Sequence, residues 1–312
     1  MNIVDRNFNT LVDIIRKSSL SEIYTSIRKS FAGIPLTTQT SLENYFKKFN
    51  YWGTLDKENA NYEELYNRAK SLKEHLDDYI FLYNHLKDYR SKLVLFAIMN
   101  NWYQFDFITL GMVVERNFPH YFDLDVVKTS KDEVVVDLGA YTGDTVLDYL
   151  NYYGVENYKK IYCYEITDES FTLLKNNLAF YPNIVFCKKA VMDQGGKLYL
   201  ERSSVDNSAN MVNAVSGEKE VIAVSLDEDI KEPITLLKMD IEGSEQKALL
   251  GAKEHIINDS PKLLISVYHN HEDLWKIPTM IHKFNPNYDY YLRYYGNNVF
   301  PTEIVLCAIP KN

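Results

Sequence analysis

The apolar run Thr235–Asp240 is interrupted by Lys238 and Asp240, and Glu242 follows two residues later, giving K-M-D-I-E-G-S-E over Lys238–Glu245. A buried parallel strand has little reason to carry Lys238, Asp240 and Glu242 unless they meet a ligand or one another. On the first reading, carboxylates sit at the carboxyl end of a strand, where open α/β sheets bind their ligands. On the second, the three form a satisfied ion network. His269 stands at the end of another apolar run, Lys262–Tyr268. An imidazole titrates near neutral pH, so His269 can take the proton of a hydroxyl as that oxygen forms a new bond. Asp240 or Glu242 could serve as base instead, or hold a divalent ion that acidifies the hydroxyl. The ion is an option and not the expectation.

A ligand for these groups is suggested by V-V-V-D-L-G-A-Y-T-G-D-T, Val134–Thr145. A β-branched run, then an acid, then two glycines four apart, reads as strand, tight turn and helix N-terminus. The turn is G-x-x-x-G and not G-x-G-x-x-G, which disfavours a dinucleotide, and no G-K-[ST] follows, which removes a P-loop. Asp137 before the turn and Asp144 after it repel phosphate and suit a cation. Glu165, closing the run Lys160–Glu165, can accept from both hydroxyls of a ribose or cap the helix that follows. An adenosine with a positively charged, phosphate-free tail is S-adenosylmethionine.

Asp137–Thr145, L-K-N-N at Leu174–Asn177, A-V-M-D-x-x-G from Ala190, V-S-L-D at Val224–Asp227 and K-M-D-I-E-G-S-E together resemble the FkbM family of S-adenosylmethionine-dependent methyltransferases. V-Y-H-N-H-E-D-L-W-K-I-P from Val267, then Y-Y-L-R-Y-Y and T-E-I-V-L, extend the resemblance over about residues 121–310. It implies O-methylation of hydroxyls on sugars, glycan precursors or polyketide-like products. It also implies that Asp137, Gly139, Tyr141, Gly143, Asp144 and Thr145 form the cofactor turn. Gly139 would pass under the methionine portion, and Asp137 would organise the turn and receive the α-amino group. Glu165 would face the ribose, Val191 and Met192 would flank the adenine, and Ile166 would also touch the cofactor. Lys238, Asp240, Glu242 and His269 would supply the chemistry, with Asp240 also touching cofactor. The acceptor is expected to be a small or sugar-containing molecule, bound by the helical region and by the loops Ser203–Gly217 and Tyr295–Thr302. N-methylation of a small amine, and a non-catalytic Rossmann assembly module, are the alternatives.

The elements that must position these residues alternate from Glu133 onward. Strands are expected at Val134–Leu138, Lys160–Glu165, Asn183–Val191, Thr235–Asp240 and Lys262–Tyr268, with helices between them. Lys197–Glu201 and Glu220–Leu226 read as an inserted strand pair, and Tyr288–Arg293 with Glu303–Ile309 as a closing pair without a helix. The fold class is therefore α/β: a Rossmann-like class I methyltransferase sheet, mostly parallel with an antiparallel last strand. Residues 1–125 read as a helical extension, a cap or oligomerisation region that leaves a homodimer open, and 126–312 as the methyltransferase domain. Ile3, Val4, Phe8, Leu11, Val12 and Ile15 share a helical face, and Thr40/Glu43 and Asn61/Glu64 have capping-box spacing. Leu72–Met99 reads as two helices broken near Tyr89–Ser91.

The formal charge of −9 argues against a nucleic-acid partner. No leader-like start and no span-length apolar stretch is present, so a cytoplasmic protein without a membrane span is expected. Cys163, Cys187 and Cys307 lack paired spacing and read as reduced core thiols. Asn285-Pro-Asn-Tyr288 resembles an amino-methylation motif in the wrong place and reads as a turn.

Overall fold

The computed structural model describes residues 2–49, 52–201, 211–213 and 219–311; the expected acceptor loop Ser203–Gly217 lies almost wholly outside them. The chain divides into two compact units, one of Met1–Arg116, Val267–Thr279 and Asp289–Leu306, the other of Asn117–Ser266, Met280–Tyr288 and Cys307–Asn312.

The first unit opens with α1 (Ile3–Lys17), α2 (Leu20–Gly33) and α3 (Leu36–Lys48). Reciprocal capping boxes at Asn2/Asp5 and Ser19/Glu22 start α1 and α2, satisfying backbone N–H groups that the first turn leaves unpaired. Val4, Phe8, Leu11, Val12 and Ile15 are buried as the spacing predicts, whereas Ile3 is exposed at the helix end. The box expected at Thr40 is absent because α3 enters directly from Pro35, leaving Thr40 within the helix. Proline presets a helical φ and has no N–H to satisfy there. A two-stranded ribbon, β1 (Leu55–Asp56) and β2 (Asn61–Tyr62), precedes α4 (Glu63–Glu74), α5 (Leu76–His85), α6 (Tyr89–Gln104) and α7 (Phe107–Met112). Asp88 accepts from the Ser91 backbone, so α6 begins at Tyr89, where a break was expected. Glu64 is turned inward and forms no box with Asn61. Its carboxylate lies 2.5 Å from the Arg68 guanidinium, and both side chains are buried.

The main sheet contains β3 (Val134–Leu138), β4 (Lys160–Tyr164), β5 (Ile184–Cys187), β10 (Leu236–Met239), β11 (Lys262–Ser266), β12 (Tyr288–Tyr294) and β13 (Ile304–Pro310). Its order is β12-β13-β11-β10-β3-β4-β5. The pairs β11–β10, β10–β3, β3–β4 and β4–β5 are parallel. Between these strands run α8 (Asp144–Tyr153), α9 (Asp168–Asn177), α11 (Glu245–Gly251), α12 (Lys253–Asn258) and α13 (Asp273–Phe284). All of β3 is buried, as its β-branched run requires of a strand covered on both faces. β12 and β13 are neighbours joined by a loop without a crossover helix, so the sheet closes on the expected reversed pair. The inserted strands form a separate four-stranded sheet of β6 (Ala190–Val191), β7 (Gly196–Glu201), β8 (Met211–Asn213) and β9 (Lys219–Val224), followed by α10 (Leu226–Asp229). The Asn285 side chain accepts from Asn287 N at 2.9 Å, an ordinary turn ahead of β12. The three cysteines are free and buried, and no helix among the described residues is long and apolar enough to cross a membrane.

Candidate active site

The turn after β3 is built from left-handed backbone. Gly139, Tyr141 and Gly143 have φ of 77°, 44° and 87°. A β-carbon on Gly139 would lie 1.8 Å from the Asp240 carbonyl oxygen, so only glycine lets β3 turn against the end of β10. Gly139 and Ala140 N–H both donate to Tyr164 O, at 3.0 and 2.9 Å, which ties the turn to the end of β4. Gly143 then starts α8, with Asp144 exposed in its first turn and Thr145 behind it.

Behind the turn, Asp137 and Lys238 are almost fully buried and form an ion pair of 2.9 Å. The ammonium also donates to Gly139 O at 2.8 Å. Burial pushes the Asp137 carboxyl up to about 6 against the pull of Lys238. Burial opposes charge on Lys238 too, yet Asp137 and Asp240 hold its ammonium above the ordinary lysine range. At neutral pH both groups are therefore charged, and the pair braces the turn from below.

β10 stops at Met239, and Asp240 N donates to Leu138 O at 3.0 Å. Alternation was expected to carry through to Glu242, but Glu242 lies past the strand. It and Gly243 adopt φ of 55° and 90° and reverse the chain into α11. Non-glycine residues rarely hold such a backbone unless their surroundings enforce it. Part of that enforcement is the buried Glu245 carboxylate, which accepts from Ile241 N at 2.9 Å. Asp240 and Glu242 are both half-buried.

Sequence reading missed Tyr121. Its hydroxyl donates to Asp240 Oδ2 at 2.5 Å, and its backbone φ is 70°. The Lys238 ammonium lies 5.2 Å from the centre of its ring, and the His120 ring stacks on it at 4.1 Å. Burial holds the His120 imidazolium down to about 4, so that ring is neutral at physiological pH. No spacing rule distinguishes a tyrosine in the irregular stretch between α7 and β3; the signal exists only in the fold.

Glu165 follows β4 directly and is 8% exposed. Its carboxylate accepts from Tyr141 N at 3.1 Å and from Thr167 N and Oγ1 at 2.7 and 2.9 Å. Burial raises its pKa, with the Thr167 and Tyr141 donors pulling the other way. Ile166 packs with Ala190 and Met192 in one apolar cluster, so the ends of β4 and β6 share a wall. Val191 pairs with Val224 inside the small sheet and is buried.

In the other unit, His269 is buried three residues beyond the end of β11, which stops at Ser266 and not at Tyr268 as expected. The loop that carries it is pinned on both sides. Trp52 Nε1 donates to Tyr268 O at 3.0 Å, and Ser71 Oγ to His271 O at 2.9 Å. His271 Nε2 lies 3.4 Å from Glu64, so this second histidine is engaged by the buried Glu64–Arg68 pair. Asn270 caps α13 by accepting from the Glu272 and Asp273 backbones at 2.8 and 3.0 Å.

A family model described as the methyltransferase FkbM domain matches residues 137–299, which takes in the glycine turn, Lys238–Glu245 and His269. Among solved structures, the methyltransferase FkbM from Methylobacillus flagellatus KT is similar at a TM-score of 0.64 and 23% identity. That similarity covers 77% of this chain but 61% of that one. An rRNA methylase from Streptococcus thermophilus is similar at a TM-score of 0.39 and 14% identity, over 59% of this chain and 90% of that one. The fibrillarin from Aeropyrum pernix, in complex with natively bound S-adenosyl-L-methionine, is similar at a TM-score of 0.35 and 12% identity, over 58% and 67% of the two chains. No curated protein matches in sequence.

Proposed function

The chain belongs to the FkbM methyltransferase family, and on that premise we propose that it moves the methyl group of S-adenosylmethionine to a hydroxyl of a sugar, glycan precursor or related metabolite. The observation that carries the cofactor assignment is the charge around the turn Gly139–Gly143. Asp144 and Asp240 line it, and Lys238 behind it is neutralised by Asp137. Such a donor set fits a cationic, phosphate-free nucleoside and does not fit a pyrophosphate.

When bound, the cofactor supplies an electrophilic methyl on a sulfonium, and the residues of the chain do the rest. Glu165 accepts from the ribose hydroxyls, while Ile166 and Met192 wall the adenine. Gly139 and Tyr141 shape the backbone beneath the methionine portion. His269 takes the proton of the attacking hydroxyl, and Asp240 and Glu242 are the other candidates for that base. Alignment of oxygen, methyl and sulfur and removal of that proton are the two contributions such a displacement needs. No metal is assigned a part in this step.

Replacing Glu165 with glutamine puts an amide N–H₂ among the N–H donors of Tyr141 and Thr167 and removes an acceptor for the ribose. S-Adenosylmethionine binding is expected to weaken about tenfold or more by calorimetry. The activity is tested by offering hydroxyl and amino sugars with S-adenosylmethionine and reading the gain of one methyl by mass. Methylation on nitrogen alone would refute the O-methyl assignment, and no measurable cofactor binding would refute both enzyme readings. His269→Ala is expected to lower kcat by about a hundredfold or more while S-adenosylhomocysteine still binds. Unchanged turnover would move the base to Asp240 or Glu242.

A further inference from the structure

We propose that Tyr121 is the residue that positions the Asp240 carboxylate for methyl transfer, through a hydrogen-bond chain that starts at Ser266. The inference rests on the methyltransferase reading above and adds to it a residue outside every motif of the site. Tyr121 Oη lies 2.5 Å from Asp240 Oδ2 and 3.2 Å from Ser266 Oγ. A phenol has one proton, and the ionised carboxylate can only accept, so Tyr121 donates to Asp240 and Ser266 donates to Tyr121. The chain is therefore directional, Ser266 to Tyr121 to Asp240, and each donor polarises the next.

Three further observations indicate that this contact is enforced. Tyr121 holds a left-handed backbone, φ 70°, which a bulky side chain adopts only under constraint. Its ring is clamped, with His120 stacked on it at an interplanar angle of 6° and the Lys238 ammonium nearby. Ser266 and Tyr121 are 0% and 3% exposed, so water does not compete for the chain. Asp240, by contrast, is half-buried. With Oδ2 held from behind, the carboxylate cannot rotate freely, and the direction of Oδ1 is set before a ligand arrives. Reactions that depend on alignment are sensitive to such small orientational freedom. A donor to the ionised form also keeps the carboxylate charged at lower pH.

The test is Tyr121→Phe, which keeps the ring, its stacking and its burial and removes only the hydroxyl. Three readouts are compared with wild type: S-adenosylhomocysteine affinity by calorimetry, the titration of Asp240 followed by carboxyl ¹³C resonances assigned with Asp240→Asn, and kcat on the sugar that wild type methylates. The proposal expects affinity within about threefold of wild type. It expects Asp240 to titrate about one pH unit higher, because the donor to its charged form is gone, and kcat to fall about tenfold to a hundredfold. Ser266→Ala should reproduce the direction with a smaller effect. An Asp240 titration that stays in place, or a kcat that stays at the wild-type value, overturns it. Failure of the methyltransferase reading looks different: wild type then neither binds S-adenosylhomocysteine nor methylates any sugar, while the shift in Asp240 titration still reports whether Tyr121 holds that carboxylate.

Discussion

Gly139→Ala is expected to abolish cofactor binding while leaving a folded but weakened protein. The added β-carbon would lie 1.8 Å from the Asp240 carbonyl oxygen and 2.9 Å from its carbon, both backbone atoms that cannot step aside like a flexible side chain. The φ of 77° adds a left-handed strain of roughly 1–2 kcal/mol for any residue with a β-carbon. Together with the forced separation of β3 from β10, the expected destabilisation is about 3 kcal/mol or more. On the proposed function the loss of binding is larger, because the displaced pieces are the turn proposed to shape the methionine portion and the strand end that carries Asp240. S-Adenosylhomocysteine affinity by calorimetry should fall at least a hundredfold. Gly33→Ala is the matched control. Nothing lies within 4 Å of its added carbon, it closes α2, and alanine is the better helix former, so stability and affinity should hold or rise slightly. A Gly139→Ala protein that binds normally would show that β10 does not press on the turn.

Lys238→Met is expected to be the most destabilising single change in the unit of β3 and β10 that adds no bulk. It strands the Asp137 carboxylate, 1% exposed, without its partner at 2.9 Å. Removing one member of a buried pair costs about 3–5 kcal/mol. The pH dependence has a definite sign. Asp137 already titrates near 6 in the folded protein, above its ordinary value of 3.8. A carboxyl raised on folding contributes stability that is complete below about 3.8 and is lost as pH rises through about 6. Without Lys238 the folded value climbs further, so the penalty grows with pH over a wider range. Denaturant melts should therefore show the variant close to wild type at pH 4 and far below it at pH 8. Adding Asp137→Asn, which removes the stranded charge, should recover much of the loss at pH 8. A loss that is the same at both pH values would mean that the ammonium braces the turn through Gly139 O alone.

Much of the fold was legible before the structure because its signals are local. β3 is β-branched and flanked by an acid and a glycine turn; Asp137 to Thr145 needs only nearest neighbours to specify a strand end, a left-handed turn and a helix start. The parallel strands, the inserted pair and the closing hairpin follow from period and from the presence or absence of an intervening helix. Where local reading failed, a competing local contact had taken over. Pro35 started α3 before Thr40 could cap it, and Glu64 was turned inward to Arg68. The left-handed pair Glu242–Gly243 ended the alternation that seemed to run from Lys238.

The chemistry of the site divides along the same line. The amino-acid sequence by itself narrowed the ligand expected at the turn, because glycine spacing and the acids around it are properties of a dozen consecutive residues. It also marked Lys238, Asp240 and Glu242 as ionisable groups out of place in a buried strand unless they meet a ligand or one another. Only the tertiary structure decided how those charges are shared out. Asp137 and Lys238 neutralise each other, Glu165 ties the turn to β4, and Asp240 is held by Tyr121, 119 residues away in the chain. Likewise the loop of His269 is pinned by Trp52, whose indole reaches Tyr268 across 216 residues. Such pairings have no period and no motif. They arise when strands distant in sequence pack side by side and each buried donor or charge must find a partner, and that requirement acts on the folded arrangement rather than on any stretch of sequence.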